Sequence, residues 1–420
     1  MPLEGNPASP VSAADPMPDS VLRHRPFVHY WNARMFAAVA FQMVGVAVGW
    51  QIYALTGSAF DLGLVGLMQF LPATVLILIA GQVADRYDRR LILQICQAIE
   101  GLAAAALSVG SFGGWISKEF ILIAVFFVGA ARAFESTAMQ TLLPAVVPAP
   151  LFPRAVAASS SAQQAATIGG PAIGGLLYAL SPSFVYATCC VLFLCAATQL
   201  AFLRVERAAA RPPVTLEGFF AGVSFIRRNP IVLGVISLDL FAVLLGGATA
   251  LLPIFAKDIF DVGPSGLGLL RAAPAVGALV SIAVLTRWPL TRGVGRIEFT
   301  AVACFGIATV VFGLSTSFSL SMMALALMGA ADAISVVVRV TLVQIETPDE
   351  MRGRVSAVNT LFVSMSNQLG DFRAGMAAAL IGAIPAVLVG GIGTLLVVAL
   401  CVKAFPQLYA IEGFHNIRER

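Results

Sequence analysis

Charged side chains, histidines and paired cysteines are scarce in this chain. Only 11% of its 420 residues are charged, and the three histidines, His24, His29 and His415, lie near the ends. The six cysteines form no C-x-x-C pair and none has a histidine beside it, so neither a metal centre nor a disulfide framework is expected. No nucleophile, base and acid can be combined into a catalytic set, and no glycine-rich phosphate loop is present. The sequence therefore argues against an enzyme and against a bound cofactor.

Apolar residues are abundant instead. They make up 59% of the chain, with a mean hydropathy of +0.89, against about 45–50% in a soluble domain. Twelve apolar runs approach the roughly 20 residues that span a bilayer as a helix. They lie at about 36–57, 62–84, 91–111, 119–141, 155–180, 183–203, 231–255, 265–286, 297–314, 318–343, 355–380 and 385–405. We therefore predict an all-α membrane protein of twelve transmembrane helices, with the lipid bilayer as its first partner.

The positions of the cations predict the orientation in the membrane. Lys and Arg concentrate in cytoplasmic loops, and if both termini are cytoplasmic, twenty of the 26 Lys and Arg residues fall in inner segments. The predicted outer loops hold only Lys118 and Lys257. We expect a multi-pass protein of the inner (cytoplasmic) membrane with both termini in the cytoplasm. The net charge of +4 follows from this topology and gives no reason to expect nucleic-acid binding.

A repeat divides the chain into two halves. "GAARA" from Gly129 returns as "GAADA" from Gly329, and the spacing of Pro148 and Arg154 returns in Pro348 and Arg354, each two hundred positions later. Duplication of a six-helix unit explains both matches. The predicted segments are a disordered cytoplasmic tail at 1–26, a six-helix half at 27–204, a cytoplasmic loop with a short interfacial helix at 205–229, a second half at 230–405 and a cytoplasmic tail at 406–420.

Three motifs resemble those of the major facilitator superfamily of transporters. "GQVADRYDRR", after the second span, is similar to the loop with which that family ties two helices across the cytoplasmic face. "IGGPAIGGLL", in the fifth span, resembles the antiporter motif of the family. "RGRVSAVN" followed by "SNQLGDFRAG" looks like the enterobactin-exporter-like branch, which includes siderophore exporters and drug-efflux relatives. The resemblance covers nearly the whole chain and implies two pseudo-symmetric six-helix halves.

The resemblance also assigns two groups of residues. The cytoplasmic gate would comprise Gly81, Asp85, Arg86, Arg89, Arg90, Arg154, Arg352 and Arg354, and the antiporter motif Gly170, Pro171, Gly174 and Gly175. In the gate, an acidic residue would pair with cations of a neighbouring helix, in ion pairs that can be broken and remade. Topology alone would also explain the arginines, and helix packing alone would also explain the glycines and the proline.

Charges inside the apolar spans are candidates for function, because each costs about 2.5–3.5 kcal/mol at mid-membrane. The proton-coupling candidates are Glu135, Asp239, Asp332 and Asp371, and the ion-pair or substrate candidates are Arg132, Arg271, Arg373, Gln51, Tyr53, Gln163, Gln164 and Asn367. Arg132 can pair with Glu135, three positions on, or with Asp332 across the halves. We assign Glu100 to a peripheral helix. Structural ion pairs, positions near the membrane surface and helix-to-helix hydrogen bonds are the open alternatives.

Together these features predict a secondary transporter that exports a siderophore or drug-like small molecule in exchange for protons. The two halves would rock about a site at the membrane midplane. The expected partners are the small-molecule substrate and protons, and the expected functional unit is a monomer. An importer of the same fold, or a membrane sensor or scaffold that no longer transports, are the alternatives. The direction of flux in vesicles, or ligand binding without flux, would separate them.

Overall fold

Long helices make up most of the structure. A computed structural model describes residues 21–203 and 216–414, except the side chains of Ile77, Leu78, Ala84, Asp85, Gln140 and residues 216–219. The first six helices are α1 (Arg25–Thr56), α2 (Ala59–Arg86), α3 (Arg89–Phe112), α4 (Lys118–Val146), α5 (Phe152–Leu180) and α6 (Pro182–Phe202). They are followed by α7 (Leu216–Arg228), α8 (Pro230–Gly246), α9 (Leu252–Ile254), α10 (Gly263–Arg287), α11 (Val294–Leu314), α12 (Phe318–Glu346), α13 (Asp349–Ile381), α14 (Ala383–Ala404) and α15 (Pro406–Tyr409).

The predicted all-α membrane fold is confirmed. Within the described ranges, 10 helices are long and apolar enough to cross a membrane. The helices α5 and α13, with 29 and 33 residues, have the length but are more polar. Both lie against helices on either side, α5 between α1 and α10 and α13 between α2 and α8. With these two, the long helices within the described ranges number about twelve, as predicted.

Local sequence signals set the helix ends. The Ser58 hydroxyl accepts a hydrogen bond from the backbone N–H of Asp61 at 3.2 Å and so caps α2. The carboxylate of Asp88 caps α3 in the same way, accepting from the N–H of Arg90 at 2.9 Å. Gly57 ends α1 with a left-handed φ of 61°, which glycine adopts without strain. The turn between α2 and α3, part of the predicted gate, therefore depends on Asp88 as a cap.

Helix packing recurs between the two parts of the chain. Below, α1–α6 are called the N half and α8–α14 the C half. In the N half, α4 lies against α2 where Gly129 faces the backbone of Gln69. In the C half, α12 lies against α10 where Gly329 faces the backbone of Pro274. A side chain at either glycine would collide with the facing backbone, so the repeated "GAARA" and "GAADA" segments mark two equivalent close contacts.

The predicted tails and central loop lie partly outside the described residues, which exclude 1–20, 204–215 and 415–420. The described end of the first tail holds a 3-10 turn at Val21–Arg23 and the beginning of α1. In the central loop, α7 is the expected short helix, and its Gly222 faces the backbone of Arg354 in α13. The described part of the last segment continues beyond α15 beside α11, where the backbone N–H of Gly295 donates to the carbonyl of Ile411 at 3.0 Å.

The two halves meet along two seams made by glycines. Helix α5 packs on α10 where Gly175 faces Gly268, and α2 packs on α13 where Gly63 faces Gly375. Glycine at these places lets the two backbones approach more closely than larger residues would allow. Each half contributes one glycine to each seam, so the seams relate the halves symmetrically.

The halves also meet at one end of the bundle. There the hydroxyl of Tyr53 donates to the carboxylate of Asp258, in the π-helical turn Phe255–Ile259, and Lys257 Nζ lies 5.4 Å from the centroid of the Tyr53 ring. We call this the Tyr53 end, and the opposite end, where α3 begins, the Arg89 end. Near the Arg89 end, a Cβ atom at Gly81 would have no neighbour within 4 Å. The described contacts thus close the bundle at the Tyr53 end.

Candidate functional site

Arg132 and Glu135 form an ion pair on α4, as their spacing predicts. Arg132 Nη1 lies 2.7 Å from Glu135 Oε2, and the guanidinium carbon lies 4.1 Å from the centroid of the Phe41 ring in α1. The Arg132 side chain is 35% exposed and that of Glu135 only 5%. A cation that reaches water and a carboxylate that does not therefore lie side by side within the N half. The alternative contact of Arg132 with Asp332 across the halves is not the one seen in this arrangement.

Glu100 lies behind this pair, on α3. The residue is 0% exposed, and neither of its carboxyl oxygens has a hydrogen-bond partner among the described residues. Its electrostatic neighbours are Glu135 and Arg132. Our prediction placed Glu100 on a peripheral helix, and the structure shows that the side chain points from that helix into the bundle. The signal available in the sequence is the spacing of Leu93, Cys96, Gln97 and Glu100 by three and four positions, which places them on one helix face. The structure shows that this face is buried.

A second group of buried charges lies in the C half. Arg339 Nη1 is 2.8 Å from Asp239 Oδ2, and both side chains are almost fully buried. The hydroxyl of Ser335 donates to Glu298 Oε1 at 2.7 Å, and Asp332 is an electrostatic neighbour of Arg339 and Glu298. Asp239 and Asp332 are among the candidates predicted from the sequence, whereas Glu298 and Arg339 are not.

Arg271 and Asp371 form a third group, between the halves. A Cβ atom at Gly45 or Gly49 of α1 would lie 3.1 or 3.0 Å from the guanidinium nitrogens of Arg271, so these glycines leave the space that the side chain occupies. Asp371 is the electrostatic neighbour of Arg271 and accepts a long hydrogen bond, 3.4 Å, from the Thr249 hydroxyl. A C-half cation thus reaches into the surface of the N half.

Several predicted binding residues contact parts of the protein itself. Arg373 donates to the carbonyls of Leu244 and Leu245 at 2.9 and 2.5 Å, where α8 ends and its last carbonyls lack helical partners. Asn367 donates to the carbonyl of Val363, one turn back on its own helix, at 2.8 Å. These contacts favour the structural alternative for both side chains.

The predicted glutamine and tyrosine candidates also contact the protein itself, either within the N half or across the two halves. Gln51 donates to the Ser111 hydroxyl at 2.9 Å and accepts from the Tyr186 hydroxyl at 2.7 Å, so it joins three helices of the N half. Tyr53 belongs to the contact at the Tyr53 end. Gln164 donates to the carbonyl of Ala275 at 3.1 Å, which joins α5 to α10, and its neighbour Gln163 is half-buried.

The described gate residues lie at the Arg89 end of the two halves. Arg89 donates to the carbonyl of Thr141 at 3.2 Å, and Arg90 donates to the carbonyl of Leu203. Arg352 pairs with Asp349 at 2.5 Å. These contacts each stay within one half. Of the remaining members, Arg86, Arg154 and Arg354 are exposed, whereas the side chain of Asp85 lies outside the described set.

The antiporter-like motif packs on both neighbours of α5. Gly170 faces Gln42 and Gly174 faces Met43, both on α1, whereas Gly175 faces α10. The carbonyl oxygen of Pro171 faces Gly268 of α10. One motif therefore joins α5 to its own half and to the opposite half. Among the described residues, no group of three or more His, Cys, Asp or Glu is arranged to hold a metal ion.

A bundle of membrane-crossing helices in two packed parts, with ionisable side chains inside, is typical of a multi-pass membrane transporter. The sequence profile described as "Transmembrane secretion effector" matches residues 17–414, and the chain belongs to this family of the major facilitator superfamily.

Similar proteins include the "Enterobactin exporter EntS" of Shigella dysenteriae serotype 1 and that of Escherichia coli. Each is 25% identical over 398 residues, which cover 92% of this chain and 93% of the relative. Among solved structures, the inward-facing, unoccupied bacterial homologue of the human lysosomal transporter Spinster has a TM-score of 0.70 at 15% identity, covering 95% of this chain and 98% of the other. An inward-facing bacterial homologue of the iron transporter ferroportin has a TM-score of 0.71 at 16% identity, covering 94% and 100%. These structures share the fold.

Proposed function

We propose that this chain exports a small organic molecule, a siderophore or drug-like compound, across the inner membrane in exchange for protons. The family and the similarity to enterobactin exporters support a role in efflux. The proposal takes both termini as cytoplasmic and the monomer as the working unit, because the cations concentrate on that side and each half already packs against the other.

The observation that carries the proposal is the ion pair of Arg132 and Glu135. A carboxylate held in the membrane interior by one arginine can exchange that partner for a proton, because either neutralises its charge. Arg132 is half-exposed and lies on an aromatic ring, so a substrate can reach the ion pair and a donor group of the substrate can bind the ionised Glu135 in place of Arg132. Proton and substrate would then compete for the Glu135 carboxylate, which is what antiport requires.

The transport cycle that we propose uses the two glycine seams as its pivots. With the halves joined at the Tyr53 end, substrate would enter from the Arg89 end, the cytoplasmic side of the proposed topology. Rocking about the glycine seams would break the Tyr53–Asp258 contact and bring together the gate arginines, with Asp85 as the latch. Glu135, Asp239, Asp332 and Asp371 are the proposed proton-binding candidates, and Arg132 and Arg271 the substrate-binding ones.

Protons supply enough free energy for this task. One elementary charge that crosses 100 mV releases about 2.3 kcal/mol, and about 1.4 kcal/mol corresponds to tenfold in concentration. One proton per cycle could therefore maintain a substrate gradient of several tens-fold at that potential.

The experiment compares cells that contain the protein with cells that lack it, grown with scarce and with ample iron. Iron-chelating metabolites are measured inside and outside the cells by mass spectrometry. A chelator retained only by iron-starved cells that lack the protein supports siderophore export. Equal distributions would contradict a siderophore substrate, and a panel of toxic compounds then tests drug efflux. Higher internal levels in cells that contain the protein would favour an importer.

A further inference from the structure

Glu100 is a buried carboxyl for which the mechanism above has no use. It lies near the middle of the 24-residue α3 and is 0% exposed. Both carboxyl oxygens are buried and without a hydrogen-bond partner among the described side chains and backbone groups. A carboxylate in that position would lose its hydration without any compensating donor, which is among the costliest arrangements in a protein interior. A protonated carboxyl would avoid most of that cost.

The charges around Glu100 do not balance. From α4, Arg132 and Glu135 face it, and the thiol of Cys96 lies one turn away on α3 itself. Helix α6, which packs along α3, contains no Asp, Glu, Lys, Arg or His. Two carboxyls therefore share the one guanidinium that faces both. Because two like charges at one cation repel each other, such a pair binds one proton between its members.

The charged residues of α2 lie too far along the helix to restore the balance. Asp61 is at the Tyr53 end, where Lys118 pairs with it at 3.7 Å. Asp85 and Arg86 are in the last turn, at the Arg89 end. In α1, the ring of Phe41 covers the other face of Arg132. The mid-membrane group thus consists of Glu100, Arg132 and Glu135.

A buried glutamate takes the corresponding place in the C half. Glu298 of α11 is also 0% exposed and lies behind positions 332 and 335 of α12, the counterparts of 132 and 135. The third helix of each half thus carries a buried glutamate that points toward the fourth helix. Glu298 receives a hydrogen bond from Ser335. Glu100 has no such donor among the described residues, so a proton on Glu100 lowers the cost of burying this carboxyl.

We propose that Glu100 binds a proton inside the N half and shares Arg132 with Glu135, so that the two carboxyls hold one proton between them in this conformation. With Arg132 paired to Glu135, an O–H bond exists on Glu100. When that proton passes to Glu135, Arg132 neutralises Glu100 instead, and the total charge does not change. Glu135, which is closer to water, then exchanges the proton with the cavity. The existence of this proton site does not depend on the proposed function. Only its use in transport rests on the proton-coupled export proposed above.

Infrared difference spectroscopy of the purified protein in lipid nanodiscs tests this without any substrate, because a protonated carboxyl has its own carbonyl band. We expect Glu100→Gln to remove one protonated carboxyl at neutral pH, and Glu100→Asp to restore it. In Glu135→Gln, Glu100 becomes the sole counter-ion of Arg132 and ionises, so the band is lost although Glu100 is present. In Arg132→Gln, both carboxyls bind protons and the band gains one carboxyl.

The matched control is Glu119→Gln, an exposed carboxyl at the beginning of α4, which should leave the band unchanged. Circular dichroism and thermal unfolding show whether each variant folds. An identical band in the wild-type protein and Glu100→Gln would overturn the proposal, and so would a band that persists in Glu135→Gln. No efflux in the cell experiment, with the infrared pattern intact, would contradict the proposed function and leave the proton site in place.

Discussion

A buried ion pair joins α8 to α12 in the C half. The side chains of Arg339 and Asp239 are 5% and 6% exposed, with 2.8 Å between nitrogen and oxygen. By contrast, the pair of Arg352 and Asp349 at the Arg89 end is 52% and 79% exposed. The two pairs have similar geometry but different surroundings, and the surroundings decide how much each contributes to stability, because water screens the exposed one.

We predict that Asp239→Ala lowers the free energy of unfolding by about 3–5 kcal/mol, because it removes the carboxylate that forms an ion pair with the buried Arg339. Asp349→Ala is the control and should cost about 0–1 kcal/mol, as expected of an exposed pair. Denaturant titration of both variants in mixed micelles, followed by circular dichroism, measures the difference. Equal effects of the two substitutions would show that the interior of the C half is as well hydrated as the surface.

At the scale of elements, close contact of backbones governs how the halves join. Helices α5 and α10 meet where Gly175 faces the carbonyl of Pro264 and Gly268. On the same helix, Gly170 and Gly169 lie five and six residues before that seam contact and have different surroundings. Gly170 faces Gln42, whereas a Cβ at Gly169 would have no neighbour within 4 Å. The antiporter-like motif is thus a surface for packing on two sides, and its glycines have distinct neighbours.

Gly175→Ala should therefore push α5 away from α10, with a cost of about 1–3 kcal/mol for the inserted methyl group. Gly169→Ala should be neutral or stabilising, by up to about 1 kcal/mol, because alanine favours helix over glycine. Thermal unfolding and efflux rates of the two variants provide the measurement. If Gly175→Ala were as stable and as active as Gly169→Ala, the seam would not depend on backbone contact.

For the whole molecule, the arrangement is closed at the Tyr53 end. Tyr53 of the N half and Asp258 of the C half contact each other there, and Phe60 and Phe372 lie 6.3 Å apart across the second seam. These contacts must separate if the halves rock, because rigid halves that open at one end close at the other. A test of rocking is thus a test of whether this end has to open.

A short bifunctional maleimide that joins Tyr53→Cys to Asp258→Cys, in a background without native cysteines, should abolish transport. A third cysteine at Gly81 should then stay accessible to an impermeant label from the cytoplasmic side, because the Arg89 end cannot close. The same triple variant without the cross-linker is the control, and its transport rate is the reference for the cross-linked protein. Transport by the cross-linked protein would contradict rocking, and labelling of Gly81→Cys only from outside would invert the proposed topology.

The sequence by itself determined the fold class and the repeat and offered Glu135 as one of two partners of Arg132, because these depend on helix length, composition and spacing along one chain. The tertiary structure decided between Glu135 and Asp332. The sequence also marked the glycines at 170, 174 and 175, although not which helix each one faces. Only the tertiary structure decided the partners of Arg373 and Gln51 and the inward direction of Glu100 and Glu298. Spacing along one helix defines a face, whereas the neighbour of that face depends on how all the helices pack. A buried charge therefore acquires its role from residues far away in the sequence.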